Sequence, residues 1–262
     1  MEYALTSFLT QAAFTVGVII LFGFLIAICN KTFYKNLGIF GKTACYITGF
    51  IGTPIHELSH ALMCLVFGHR ITEIKLFQIS SEDGTLGYVN HSYNRKNIYH
   101  VIGNFFIGVA PITVISLVLF FLSKWLVPDM ATAMFAHTQS ITMEAGLGSA
   151  FKSIFAAIGE FFSFAGHGEW WLFLLIGAFL TLHMTLSGAD IKGAWGGLIL
   201  LLVLLFIVNV ILSFISLSVL NGFTQFLLSV GGYLTSLLVL SLIICLIVMG
   251  ISFIFRLIFR RR

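Results

Sequence analysis

From Gly193 to Phe255 the chain contains no Asp, Glu, Lys or Arg. An uncharged apolar run of that length does not fit a water-soluble domain, whose helices average about 11–12 residues and carry a polar face. One bilayer crossing takes about 20 predominantly apolar residues, so this run is long enough for two. Composition extends the point to the whole chain. Its 262 residues are 59% hydrophobic and only 9% charged, with a mean hydropathy of +1.04. A soluble domain carries roughly 25% charged residues, so the polar surface it needs is missing. High apolar content also excludes disordered, collagen-like and disulfide-scaffold chains. The chain reads as an all-α polytopic membrane protein whose solvent is the lipid bilayer.

Six stretches are apolar and long enough to cross: about 8–29, 43–67, 98–123, 170–190, 196–220 and 226–255. Asn221-Gly222 and Gly231-Gly232 are expected to punctuate the long uncharged segment. The first run has no basic residues before it and no small-residue cleavage site, which predicts a retained span. Residues 69–97 read as strand, Asp-Gly turn and strand: Ile71 to Ile79, a turn through Asp83 and Gly84, then Thr85 to His91. Residues 128–168 place Phe151, Ile154, Phe155, Ile158 and Phe162 at helical spacing between polar residues, predicting an amphipathic segment on the membrane surface.

The formal net charge of +4 equals the contribution of Arg256 and Arg260 to Arg262. A basic tail directly after an apolar run suits a cytoplasmic anchor and not a nucleic-acid partner. With the C-terminus inside, six spans put nine basic residues inside and five outside, which favours a cytosolic hairpin. Lys31, Lys35 and Lys42 run against that bias. Cys29, Cys45, Cys64 and Cys245 all lie in apolar segments without a C-x-x-C pair and read as free buried thiols.

Ionisable groups inside a span cost at least about 2.5–3.5 kcal/mol for Asp at mid-helix, so they usually mark function. The second span contains Pro54-Ile55-His56-Glu57-Leu58-Ser59-His60. On a helix His56 and His60 are i and i+4, within reach of one cation, and neutral imidazole is a good zinc ligand. Glu57 beside the first ligand suits a group that takes a proton from an activated water. The competing explanation, two helix histidines bonded to neighbouring helices, has to account for three polar groups within five residues of a span. Zinc needs a third protein ligand and an open position. Asp83 and Asp129 fall outside the spans, and Asp190 lies at the edge of one. His183, seven residues before Asp190, competes with it as ligand, second-layer partner or substrate contact. Glu160, Glu169, His167 and Cys64 are weaker candidates. His69, His91, His100 and His137 read most simply as solvent or headgroup histidines.

These residues resemble the site-2 protease family of intramembrane zinc metalloproteases, as a divergent member. The resemblance covers roughly residues 43–195 and is anchored on His56-Glu57-Leu58-Ser59-His60. It implies a three-helix core whose first helix carries H-E-x-x-H and whose third supplies an Asp ligand, with a membrane-associated β-hairpin after the first. The chain then divides into a first helix and loop (1–42), the metalloprotease core (43–195), and two C-terminal helices with the basic tail (196–262). The family's usual Leu-Asp-Gly reads Ala189-Asp190-Ile191 here, so Asp190 corresponds by position and chemistry. The domain that several family members carry between the second and third core helices is absent from the 128–168 interval, so the resemblance implies a separate regulatory membrane protein as a partner. Asn104, near Ala110-Pro111, corresponds to an early Asn of the second core helix; it is expected either to stabilise an oxyanion or to make an interhelical hydrogen bond.

The expected function is hydrolysis of peptide bonds in membrane-embedded proteins near the cytosolic face, in a multi-pass protein of a bacterial cell membrane. One Zn2+ per chain would be held by His56, His60 and Asp190, with Glu57 as the proton acceptor. The hairpin edge from Ile71 to His91 is the expected substrate-binding element, by strand addition. Pro54 is expected to loosen the helix ahead of the motif. Two alternatives use the same polar cluster differently: a membrane transporter handling metal cations, and a non-proteolytic scaffold of the same family.

Overall fold

A computed structural model of the protein describes residues 2–79, 84–139 and 146–259. The hairpin turn through Asp83 and the terminal Arg260 to Arg262 lie outside the described residues. Among the described residues the chain is mostly helical, with one small sheet. Helix α1 (Glu2–Ala12) passes through a π-helical turn (Ala13–Gly17) into α2 (Val18–Leu37), and a short 3-10 turn leads to α3 (Gly41–Val66). Strands β1 (Arg70–Lys75) and β2 (Tyr88–Ser92) follow, then α4 (Ile98–Leu126), α5 (Pro128–Gln139), α6 (Gly146–Ser163), α7 (Gly168–Thr181), α8 (Gly188–Ile215) and α9 (Leu217–Phe259). Among the described residues four helical stretches are long and apolar enough to cross a membrane: Glu2–Val66, α4, α8 and α9.

Several boundaries differ from those read off hydropathy. The expected span at 170–190 is broken. Its first part, α7, has 14 residues, about 21 Å at 1.5 Å per residue, short of a hydrocarbon core of about 30 Å. The chain leaves the helix at Leu182 and re-enters at Gly188, so Asp190 belongs to the first turn of α8. The long uncharged segment breaks at Ser216, which is extended (φ −169°, ψ 133°), and not at Asn221-Gly222 or Gly231-Gly232. Both Gly pairs lie inside α9. Gly231 is needed there for contact: a Cβ at this position would sit 2.3 Å from the Phe14 carbonyl oxygen. The interval 128–168 contains two helices, and its amphipathic part, α6, buries Ala157 and Phe161 while exposing Phe155. Trp170 holds α6 to α7 by donating its indole N–H to the Phe161 carbonyl at 2.7 Å.

Apolar packing cannot by itself set the register of helices in lipid, because the tails are as apolar as the side chains, so interhelical hydrogen bonds matter. Gln11 of α1 and Asn209 of α8 form a reciprocal buried amide pair, 3.0 and 2.7 Å, and Gln11 also donates to Thr224 of α9 at 2.9 Å. Asn36 of α2 donates to Ser252 of α9 at 3.1 Å, and Ser116 of α4 meets Ser241 of α9 at 3.0 Å. Asn30 of α2 donates to the Thr181 carbonyl at 2.7 Å, which ties α2 to the end of α7 where the helix breaks.

The sheet is the expected antiparallel hairpin with shorter strands. Ile74 pairs with Val89 and Lys75 with Tyr88, and a bulge between Ile71 and Glu73 shifts the register. Beyond β1 the backbone bond from Gln78 N–H to the Leu86 carbonyl, 2.7 Å, keeps the two arms together.

The two glycines of the Gly231-Gly232 pair should respond oppositely to the same change. Gly232 has open space around its Cβ position. Gly232→Ala is expected to leave thermal stability unchanged or raise it by up to about 1 kcal/mol, from helix propensity. Gly231→Ala is expected to lower stability by about 1–3 kcal/mol through overpacking against backbone. Thermal unfolding of the two variants in detergent checks the sign.

Candidate metal centre

The motif side chains sit in the middle of α3, which runs unbroken through Pro54. Helical spacing brings the imidazoles of His56 and His60 to one face, with Nε2 to Nε2 at 3.2 Å. Each ring uses its other nitrogen on a backbone carbonyl. His60 Nδ1 donates to the Ile107 carbonyl at 2.8 Å, and His56 Nδ1 to the His183 carbonyl at 2.6 Å. A neutral imidazole has one proton, so these bonds leave both Nε2 atoms as lone pairs directed at each other's space. Asp190 Oδ1 approaches His60 Nε2 at 3.4 Å. One ligand atom from each of His56, His60 and Asp190 lies within 4.8 Å of the others. Two imidazoles with anchored Nδ1–H groups, facing a carboxylate, fit the donor set of a divalent zinc-type cation.

Both carbonyls are free for a reason found in the chain. In a continuous helix Ile107 O accepts from the N–H of residue 111, but residue 111 is proline and has none. His183 O accepts in a continuous helix from the N–H of Ser187, and the break between α7 and α8 separates the two. Ser187 N–H turns instead to Asp190 Oδ2 at 2.7 Å, while Ser187 Oγ accepts from Asp190 N–H at 3.1 Å. This capping box fixes the carboxylate and leaves Oδ1 toward His60. α8 can bring Asp190 this close to α4 because Gly108 has no side chain; a Cβ there would lie 2.8 Å from the Asp190 carbonyl oxygen.

The structure separates the two residues that competed for the third position. Asp190 joins the two histidines. The ring of His183 points elsewhere, with Nε2 at 2.9 Å from Thr48 Oγ1 and Nδ1 at 3.3 Å from Thr53 Oγ1, and only its main-chain carbonyl serves His56. Glu57 is buried at 6% exposure, and Gly87 of the hairpin lies against its side chain. Among the described residues the Glu57 carboxylate accepts no hydrogen bond and makes no ion pair. Asn104 is buried on α4, one turn before Ile107.

The weaker candidates fall apart from this centre. Glu160 pairs with His137 at 3.6 Å, Glu169 sits in the first turn of α7, and His167 bonds the Phe164 carbonyl at 3.3 Å. Cys64 joins His69 and His91 in a second group. His69 is a correction: it is not a solvent histidine but 4% exposed, bonded to the His100 carbonyl at 2.8 Å. Burial draws both His69 and His91 below the usual histidine range, and close histidines add to the effect. The signal for this group lay in the hairpin register, which sets His91 opposite Ile71, two residues from His69.

No family of known proteins, no curated protein and no solved structure matches the chain.

One variant pair and one single variant test the construction of the centre. Asp190→Ala is expected to abolish stoichiometric zinc binding by the purified chain, whereas His183→Ala, which keeps the carbonyl, should hold zinc within a few-fold of wild type; elemental analysis and chelator competition measure both. Pro111→Ala restores an N–H that competes for Ile107 O. It should raise thermal stability, by up to about 3 kcal/mol, and yet weaken zinc affinity by about 10–100-fold. A rise in both quantities would refute the role given to the freed carbonyl.

Proposed function

We propose that the chain is an intramembrane zinc metalloprotease that hydrolyses peptide bonds of membrane-embedded proteins. The observation that carries this reading is the convergence of His56 Nε2, His60 Nε2 and Asp190 Oδ1, with Glu57 next to His56 on α3 and its side chain largely buried. A zinc ion held by His56, His60 and Asp190 would lower the pKa of water to about 7 and polarise a carbonyl. His56 and His60 hold their rings in the metal-binding tautomer through His183 O and Ile107 O, and Ser187 holds Asp190. Glu57 would accept the proton of the attacking water and deliver it to the departing amine. His60 and Glu57 are buried and His56 and Asp190 partly buried, which limits bulk water at the centre and strengthens each electrostatic contact.

The surroundings suit an extended substrate. Gly87 places the second arm of the hairpin directly beside Glu57, and a two-stranded sheet has free edges on both sides. Strand addition to the hairpin would present a backbone carbonyl that a helical substrate keeps in its own hydrogen bonds. An apolar cavity of about 310 Å3 between α2, α4 and α8, lined by Phe24, Phe105, Leu186, Ile191 and Trp195 among others, adjoins the turn that carries Asp190. It offers a lipid-side route for a hydrophobic segment. In this reading α3, α4 and the α7–α8 junction form the protease core of a multi-pass protein of a bacterial cell membrane, with the hairpin on the cytosolic side. A separate membrane protein would supply regulation.

The decisive variant is Glu57→Gln. A single-span reporter protein with helix-weakening residues near one end of its span is reconstituted with the enzyme in proteoliposomes, and products are read by mass spectrometry. Glu57→Gln is expected to lower cleavage by roughly 10²–10⁴-fold with zinc content unchanged. Cleavage persisting near the wild-type rate would remove Glu57 from the mechanism. Zinc flux into the vesicles without any product would instead identify a transporter, and partner capture indifferent to Glu57→Gln, again without product, a scaffold.

A further inference from the structure

A second convergence of ligating groups lies at the C-terminal end of α3, and the proposed peptide chemistry makes no use of it. Cys64, four residues after His60, is a free thiol with 0% exposure. His69 follows the Gly68 turn, whose φ of 68° bends the chain off the helix. His91 belongs to β2, on the hairpin. One ligand atom from each of the three lies within 4.8 Å of the others. Three separate elements thus bring a thiol and two imidazoles to one point.

The hydrogen bonds orient the set. His69 Nε2 donates to the His100 carbonyl at 2.8 Å, so the neutral ring presents Nδ1 as a lone pair. That Nδ1 faces His91 Nδ1 at 3.0 Å. Tetrahedral zinc with Zn–N distances of about 2.0–2.1 Å holds two nitrogens about 3.3–3.4 Å apart, a few tenths of an ångström from the spacing present. Tyr93 stacks on the His69 ring at 4.9 Å and 12°, which fixes its plane. An imidazole anchored through its far N–H to a main-chain carbonyl is the usual state of a zinc-bound histidine. A thiolate in the set favours zinc over magnesium or calcium, which take oxygen ligands.

We propose that Cys64, His69 and His91 bind a second zinc ion, which pins the β-hairpin to the end of α3. Three protein ligands leave one position for water. The ion's role is positional: it joins the helix that carries His56, Glu57 and His60 to the strand that follows Gly87. This site does not depend on the protease reading, since it shares no ligand with the first.

Cobalt(II) distinguishes the two sites, because only this one contains a sulfur ligand and a cobalt–thiolate bond gives a near-ultraviolet charge-transfer band. The full-length chain, purified in detergent, is stripped with a chelator and titrated with cobalt(II). Wild type is expected to show the thiolate band and to bind two equivalents. The double variant His56→Ala/His60→Ala should keep the band and lose one equivalent. Cys64→Ser should lose the band, Cys45→Ser should keep it, and His91→Ala, on the half-exposed strand, should weaken the band-forming site at least tenfold without loss of helical circular dichroism. Absence of the band in loaded wild type, its persistence in Cys64→Ser, or unchanged affinity in His91→Ala would overturn the proposal. An unchanged equivalent count in His56→Ala/His60→Ala would count against the first centre alone.

Discussion

Two main-chain carbonyls, Ile107 O and His183 O, fix the rings of His60 and His56, and the geometry of the candidate centre depends on them. A carbonyl inside a helix is normally taken by the N–H four residues on, and in an apolar bundle no water competes for it. Each of these two is released by a local defect. Pro111 removes the N–H that Ile107 O would have met, and the break after α7 carries Ser187 N–H away from His183 O. The released groups do not stay unsatisfied, which in hydrocarbon would cost several kcal/mol each. They accept from His60 and His56, and Ser187 N–H holds Asp190. Local losses of helix hydrogen bonding are thereby turned into the orientation of three side chains.

The same logic links the centre to the bundle. The break between α7 and α8 is held in place by Asn30 on the Thr181 carbonyl, and Asn30 also lies close to the Cys245 thiol of α9 (3.7 Å). Gly108 lets α8 come close enough to α4 for Asp190 to meet His60. Residues on α2, α3, α4, α8 and α9 therefore share in one arrangement, although three of them alone supply the ligand atoms. On the other side of α3 the hairpin lies over Glu57 at Gly87, and the Cys64, His69 and His91 group sits where helix meets hairpin.

Some of this was legible in the chain. The i, i+4 spacing of His56 and His60 needs nothing but a helix, and the apolar runs supply one. The hairpin followed from its strand-turn-strand pattern, though pairing proved shorter than the pattern. Other features were not legible. Hydropathy registers how apolar residues 170–190 are but not whether their backbone stays helical, so the break at 182–187 was missed. Gly231-Gly232 has the composition of a turn, yet in α9 Gly231 answers a steric demand from Phe14, a residue of a distant segment. His69 reads as a solvent or headgroup histidine in the sequence because its burial comes from His91 and Tyr93, which the hairpin brings to it, and from His100 at the start of α4.

By itself the sequence determined that this is a helical membrane protein with two histidines on one helix face and a glutamate next to the first, because those properties depend on composition and on spacings of a few residues. Tertiary structure decided the rest. It chose the Asp190 carboxylate over the His183 ring, since Thr48 and Thr53 draw that ring away while the α8 capping box directs the carboxylate inward. It also gathered Cys64, His69 and His91, separated along the chain by a turn and a hairpin. Which side chains share a point in space depends on how helices and strands dock, and docking is set by contacts between residues too far apart in the chain for any local pattern to record.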